Sequence, residues 1–175
     1  MKNFNEYIKC LAVVEERGDV NPPVAGISFD SRKAAADLIF VAIRGWKTDG
    51  HLFIPAAVEA GCKMIVCEEL PAEIREGVRY IKVADSSEAL AKLAAEYYDH
   101  PTRGLKVVGV TGTNGKTTVA TLLYKLAGCL GYRAGLCSTV ANYIGETKLD
   151  TTHTTPDALT LQALMRKMAD EGCYY

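Results

Sequence analysis

No two cysteines in this chain have the C-x-x-C spacing of a redox couple or a zinc knuckle, although six cysteines are present. Cys10, Cys62, Cys67, Cys129, Cys137 and Cys173 are scattered, most of them in apolar stretches. Buried reduced thiols and a cytoplasmic setting are therefore expected, and a zinc site is not. Long hydrophobic runs are also absent, which argues against a transmembrane helix. Met1 to Glu6 lacks the basic-then-apolar order of a signal peptide. Charge of one sign is lacking too, with a net charge of −1. There is no basic stripe for nucleic acid and no acidic tract of the disordered kind. No internal repeat or low-complexity tract is visible. What remains is an ordinary globular composition, and 175 residues suffice for one good core or two small ones.

The residues that carry chemistry are concentrated in Val107-Val108-Gly109-Val110-Thr111-Gly112-Thr113-Asn114-Gly115-Lys116-Thr117-Thr118. A β-branched segment, Leu105 to Val110, enters a glycine-rich turn, and Lys-Thr-Thr then opens a helix expected over 116–129. Such a turn aims backbone N–H groups at phosphate oxygens, and the helix N-terminus adds the positive end of its dipole. Lys116 would reach the β/γ-phosphates, and Thr117 would ligate Mg²⁺. Val110 stands where the strict P-loop has glycine, so the motif is a variant. A tight turn alone needs neither the lysine nor the two hydroxyls after it. Val119, Leu122, Leu123, Leu126 and Leu130 recur at spacings of three and four, predicting a buried stripe on the helix.

Upstream, Phe4 to Glu16 has helical periodicity. Gly26–Phe29, Asp37–Ile43, Lys63–Cys67 and Arg79–Val83 are predicted as strands. A short helix is expected over Phe53–Ala60, and a longer one to about Tyr98, capped by Ser86 or Ser87. His100-Pro101-Thr102-Arg103-Gly104 punctuates the chain. The fold class is α/β, with a domain boundary at 103/104 between a compact N-terminal α/β domain (1–103) and the start of a P-loop parallel-sheet domain (104–175). In the second part, Arg133–Cys137 is predicted as a strand and Ser138–Thr155 as a long polar segment. A helix follows from Pro156 or Asp157, and Cys173-Tyr174-Tyr175 begins a further strand. A P-loop sheet needs several covered parallel strands, and its acidic Mg²⁺ ligand lies on a later one. The second domain is therefore expected to be incomplete and the chain alone inactive.

Four segments, in order, resemble the Mur ligase family. They are Phe29-Asp30-Ser31-Arg32-Lys33 with Asp37 to Ala42, Gly45-Trp46-Lys47-Thr48-Asp49-Gly50-His51-Leu52-Phe53-Ile54, Gly109 to Thr118, and Thr151-Thr152-His153-Thr154-Thr155-Pro156-Asp157. They match best the members that add the third residue of the peptidoglycan stem peptide. MurF-type members usually have Ser at the Thr113 position and lack the Thr-Thr-Pro-Asp segment. Folylpolyglutamate synthetases follow the lysine with glycine, where this chain has Thr117.

The resemblance implies ATP- and Mg²⁺-dependent phosphorylation of the D-Glu carboxylate of UDP-MurNAc-L-Ala-D-Glu. The amine of L-lysine or meso-diaminopimelate then attacks the acyl phosphate. It implies ATP contacts at Gly112, Thr113, Asn114, Gly115, Lys116, Thr117 and Thr118, with Lys116 catalytic and Thr117 the metal ligand. It places Phe29 and Ser31 against uracil or ribose, Trp46, Lys47 and Thr48 around uridine and diphosphate, and His153, Thr154 and Thr155 against the MurNAc-peptide. The implied parent is monomeric, with no nucleic-acid or membrane partner. Taken without the resemblance, Asp30-Ser31-Arg32 is also a plain turn, Thr151–Thr155 a polar loop ahead of a helix, and His51 a structural residue. Two alternatives stay open: a binding module for nucleotide or UDP-sugar without turnover, and another ligase such as the MurF type.

Overall fold

The computed structural model describes residues 1–45, 48–149 and 156–175. Two compact units divide at Tyr97/Tyr98. Among the described residues, no helix is long and apolar enough to cross a membrane.

The N-terminal unit is built on one five-stranded sheet in the order β1-β5-β4-β3-β2. Its strands are β1 (Val13–Arg17), β2 (Gly26–Ser28), β3 (Leu38–Val41), β4 (Met64–Cys67) and β5 (Arg79–Val83). β2 to β5 run parallel, and β1 closes the β5 edge antiparallel. The helices are α1 (Phe4–Ile8), α2 (Ile54–Glu59) and α3 (Ser86–Tyr97).

Parallel strands need both faces covered, which explains the unbroken apolar runs of β3 and β4. Alternate residues Phe40, Ile65, Cys67 and Tyr80 pack with Ile54 and Ala57 of α2. The opposite parity leaves Ile39, Val41, Met64, Val66 and Ile81 for the other face, all fully buried. There α3 contacts β2, β3 and β4 through the buried Leu90, Leu93 and Ala94. Each large side chain so removed from water contributes about 1.5–3 kcal/mol.

Three expectations for this unit are corrected. The helical periodicity of Phe4 to Glu16 yields a helix only to Ile8, and Val13–Arg17 is strand β1. The pairing of β1 with β5, including Glu16 beside Ile81 and Arg17 beside Tyr80, overrides a local pattern that a short helix satisfies equally well. Neither Ser86 nor Ser87 caps α3. Asp85 Oδ1 accepts from the Glu88 N–H at 2.8 Å, while Ser86 is fully buried. The strand predicted over Asp37–Ile43 narrows to Leu38–Val41.

The C-terminal unit contains α4 (Lys116–Cys129), β6 (Gly135–Leu136), β7 (Asn142–Ile144), β8 (Thr147–Leu149) and α5 (Ala158–Asp170). α4 covers the predicted range. α5 starts after Asp157, whose carboxylate accepts from the Thr160 N–H at 2.9 Å. β6, β7 and β8 form an antiparallel sheet. Part of the expected polar segment is thus a hairpin turning at Gly145-Glu146. Ile144, Met168 and Cys173 make a small core, with Leu105, Cys137, Leu149 and Leu164 packed on it.

Two expectations fail here. Leu105 to Val110 is not a ladder strand. Among the described residues its one backbone link beyond the local turn is the Lys106 N–H to the Tyr174 carbonyl, 2.8 Å. The α4 stripe is not buried. Leu122 is 60%, Leu126 54% and Leu130 65% exposed, and only Ala127 is buried on this helix. α4 meets β6, yet these exposures leave most of the apolar face that periodicity marks open to solvent. The expected strand at Cys173–Tyr175 shows its beginning in two bonds, Tyr174 N–H to the Arg133 carbonyl and Gly135 N–H to the Tyr175 carbonyl, each 2.8 Å.

Candidate functional site

The first candidate site lies where α4 begins. Gly112 has φ +147° and Gly115 has φ +77°, conformations in which a Cβ is strained. Gly115 is the left-handed residue just ahead of α4, so the chain reverses sharply and the first-turn N–H groups face outward without intrahelical partners. Lys116 follows at the first helical position. Its ammonium donates to the carbonyls of Gly112 at 2.5 Å and Thr113 at 3.2 Å. Thr117 Oγ1 lies 3.3 Å from Thr139 Oγ1 in the segment after β6. Thr139 is not among the residues expected from the sequence, where its signal is a hydroxyl just beyond a short strand. Thr113, Asn114 and Thr118 are exposed around the turn.

This donor set fits a polyphosphate. It offers outward N–H groups at a helix N-terminus, a cation folded onto the loop and a hydroxyl in the first turn. Among the described residues no cluster of three or more His, Cys, Asp or Glu side chains could hold a metal. Mg²⁺ fits the donor set in the form that needs few protein ligands, held by phosphates with one hydroxyl. A cleft of about 560 Å³ borders the turn, with Lys116, Thr117 and Thr139 among its polar lining and Val108, Leu123 and Leu126 on its apolar wall.

The second candidate site lies in the N-terminal unit. The loops after β2 and β3 leave the same edge of the sheet, because the strands are parallel and Ser28 pairs with Phe40. The carboxyl ends of parallel strands are where open α/β sheets bind ligands. After β2, Phe29 is 40% exposed and Ser31 half-buried. Asp30 caps the turn Ser31–Lys33. Its carboxylate accepts from the Arg32 guanidinium at 2.8 and 2.9 Å and from the Arg32 N–H at 3.1 Å. These bonds hold the Asp30 carboxyl down at about 2.

After β3, Gly45 N–H donates to the Thr48 carbonyl at 3.1 Å, and Gly50 N–H to the Ile43 carbonyl at 2.8 Å. Thr48 is exposed. Trp46, Lys47, His153, Thr154 and Thr155 lie outside the described residues. Asp49 accepts from the His51 N–H at 2.9 Å and lies 2.6 Å from His51 Nδ1. These bonds lower its carboxyl below the ordinary value, the backbone bond first. The Glu68 N–H donates to His51 Nε2 at 2.8 Å. The Glu68 carboxylate accepts from Ser86 N–H at 2.9 Å and Ser86 Oγ at 2.7 Å. In sequence His51 stands only as a structural residue, and its network with Asp49, Glu68 and Ser86 leaves no local spacing, since the partners are up to 18 residues apart.

Known proteins share these segments. Residues 23–98 match the Mur ligase family, catalytic domain, and residues 110–175 match the Mur ligase middle domain. The chain is 51% identical over 172 residues to the UDP-N-acetylmuramoyl-L-alanyl-D-glutamate--2,6-diaminopimelate ligase of Bacteroides fragilis, covering 98% of this chain and 36% of that protein. It is 40% identical over 158 residues to the corresponding ligase 1 of Clostridium acetobutylicum, covering 90% of this chain and 33% of that protein. The chain thus spans about a third of the length of these curated relatives. The crystal structure of MurF from Acinetobacter baumannii superposes with a TM-score of 0.58 at 21% identity, covering 99% of this chain and 34% of that one, which shows a shared fold. With both matched segments falling on the two candidate sites, this α/β chain belongs to the Mur ligase family.

Proposed function

We propose that this chain supplies the UDP-sugar site and the ATP phosphate loop of an ATP-dependent ligase. The enzyme joins 2,6-diaminopimelate to UDP-MurNAc-L-Ala-D-Glu in peptidoglycan precursor synthesis. The reading rests on one observation: the left-handed Gly115 that sets Lys116 and Thr117 at the head of α4 lies in a chain 51% identical to a ligase so named. The N-terminal domain, proposed as 1–103, holds the uridine end through Phe29, Ser31, Trp46, Lys47 and Thr48. The domain from 104 onward holds ATP. His153, Thr154 and Thr155 are assigned to the MurNAc-peptide.

ATP with Mg²⁺ would supply the γ-phosphoryl group. An oxygen of the D-Glu carboxylate, otherwise a poor acyl donor, takes the phosphorus as ADP leaves. The amine of 2,6-diaminopimelate then displaces inorganic phosphate from the acyl phosphate and gives up a proton. The protein's part is placement and charge. Gly112 to Gly115 present backbone N–H groups to phosphate oxygens, and the α4 N-terminus adds its dipole. Lys116 leaves the Gly112 and Thr113 carbonyls for the β/γ-phosphates and offsets charge that grows during transfer. Thr117 offers its hydroxyl to the metal. Binding of ATP and the carboxylate substrate by one enzyme makes the transfer effectively intramolecular. The cytoplasm, where ATP and UDP-sugar precursors are at hand, is the proposed location.

Two measurements test this reading. Calorimetric titration of this chain with UDP-MurNAc-L-Ala-D-Glu is expected to show one site. Phosphate release by the full-length ligase is expected to require 2,6-diaminopimelate together with ATP. Absence of binding overturns the nucleotide-sugar site, and release with L-lysine alone overturns the choice of amino acid.

A further inference from the structure

One imidazole joins two strand exits of the N-terminal unit, and its partner just after β4 reaches the start of α3. The Glu68 N–H can only donate, so His51 Nε2 accepts and the ring proton sits on Nδ1, aimed at Asp49. Asp49 ends the loop that follows β3 and also takes the Arg44 guanidinium at 3.4 Å. Glu68 follows β4 and is tied through its carboxylate to Ser86 at the start of α3. The His51 side chain is only 10% exposed, so these bonds face little competition from water. Gly50, between the two loop anchors, has no room for a side chain. A Cβ there would lie 2.6 Å from the Ile43 carbonyl oxygen and 2.7 Å from the Ile43 nitrogen. The base of the loop is thus fixed from both sides, by backbone closure at Ile43 and Gly50 and by the imidazole against β4.

We propose that His51 is a positioning residue for the nucleotide-sugar site, latching the base of the β3–α2 loop to the end of β4 so that Thr48 is held where the uridine diphosphate end binds. This rests on the reading of the N-terminal unit given above. The latch belongs to the ligand-binding edge of the sheet. The loop it fixes leaves β3, the strand paired with β2, whose exit carries Ser31.

The two ring nitrogens have separable tasks, which makes the role testable. In His51→Asn the amide nitrogen falls near Nδ1 and keeps the donor to Asp49, while the acceptor for Glu68 is lost. In His51→Gln the amide oxygen reaches the Nε2 position and keeps the acceptor for Glu68, while the donor to the loop is lost. Each is titrated with UDP by calorimetry in the 175-residue chain, in a Lys116→Ala background that silences the phosphate loop. The expected result is a His51→Gln protein that melts within about 5 °C of its parent yet binds UDP about tenfold or more weakly. His51→Asn should melt lower and bind within about threefold of the parent. Should His51→Gln fail to fold, Asp49→Ala removes the loop side of the latch and leaves the bond to Glu68, with the same loss of affinity expected.

Equal UDP affinity in the parent and His51→Gln, or in the parent and Asp49→Ala, overturns the latch while leaving the nucleotide-sugar site standing. Equal losses in His51→Asn and His51→Gln reduce His51 to scaffold and overturn it as well. No UDP binding by the parent overturns the site reading and the latch together.

Discussion

The Lys116 ammonium lies 2.5 Å from the carbonyl oxygen of Gly112, held by the loop whose backbone it would share with a phosphate. A second carbonyl, that of Thr113, sits 3.2 Å away. Neutral carbonyls attract the cation less than a polyphosphate does. Lys116→Ala in the full-length ligase should therefore lower turnover at least about 100-fold, the loss typical of a missing transition-state charge partner. Turnover within twofold of wild type in a phosphate-release assay would sink the assignment.

The exposed α4 stripe predicts association. Leu122, Leu126 and Leu130 are each more than half exposed, and contiguous apolar surface of this kind drives self-assembly. The 175-residue chain should sediment above its 19.0 kDa monomer mass at micromolar concentration. Leu122→Glu with Leu126→Glu should return it to monomer with unchanged helical circular dichroism. A monodisperse wild-type monomer would refute this.

Arg79 anchors the β1 edge. Its guanidinium donates to Glu16 Oε1 at 2.7 Å, Asn5 Oδ1 at 2.6 Å and the Val20 carbonyl at 3.3 Å, and sits 5.6 Å from the centre of the Phe4 ring. Its side chain is 10% exposed, that of Glu16 38%. Glu16 can rehydrate once the arginine is gone, so the cost is below that of a fully buried pair. Arg79→Ala should destabilise the N-terminal unit by about 2–3 kcal/mol, read from the urea midpoint. A shift under about 0.5 kcal/mol would contradict the assigned role.

Asp30 should titrate at about 2, because Arg32 bonds its carboxylate. Its folded value is depressed, so whatever stability it contributes is fully present above the unfolded value near 4 and is lost as pH falls through about 2. Between pH 7 and 5 this group should cause no change. Carbon-detected NMR titration checks the value, and Arg32→Ala should return it toward the ordinary carboxylate range. An Asp30 carboxyl titrating normally in the wild type would disprove the pairing.

The thiols should separate by burial. Cys129 is exposed, while Cys62, Cys67 and Cys173 are buried, and burial pushes the Cys67 thiol to about 12. Native labelling with iodoacetamide followed by mass spectrometry should mark Cys129 first and Cys67 only after unfolding. Early modification of Cys67 would overturn the placement of β4 in the core.

What the sequence determined is local. The run Gly112 to Thr118 carries its own geometry, since glycine alone accepts φ of +77° at position 115 without strain, and a helix starts where the lysine stands. Continuous apolar runs marked β3 and β4, because burial on both faces leaves no alternation. The start of α5 was legible at Pro156 or Asp157, and the structure makes Asp157 its cap. Tertiary structure decided the rest. Val13–Arg17 became a strand because β5 offered an edge. The α4 stripe stayed open because periodicity specifies an apolar face, not the surface that covers it. Asp85, not its serine neighbours, capped α3 because Ser86 was drawn to Glu68. His51 acquired partners from two strand exits that only the parallel pairing of β3 and β4 brings together. Hydrogen bonds between residues distant in sequence leave no spacing to read, since sheet register creates the neighbours.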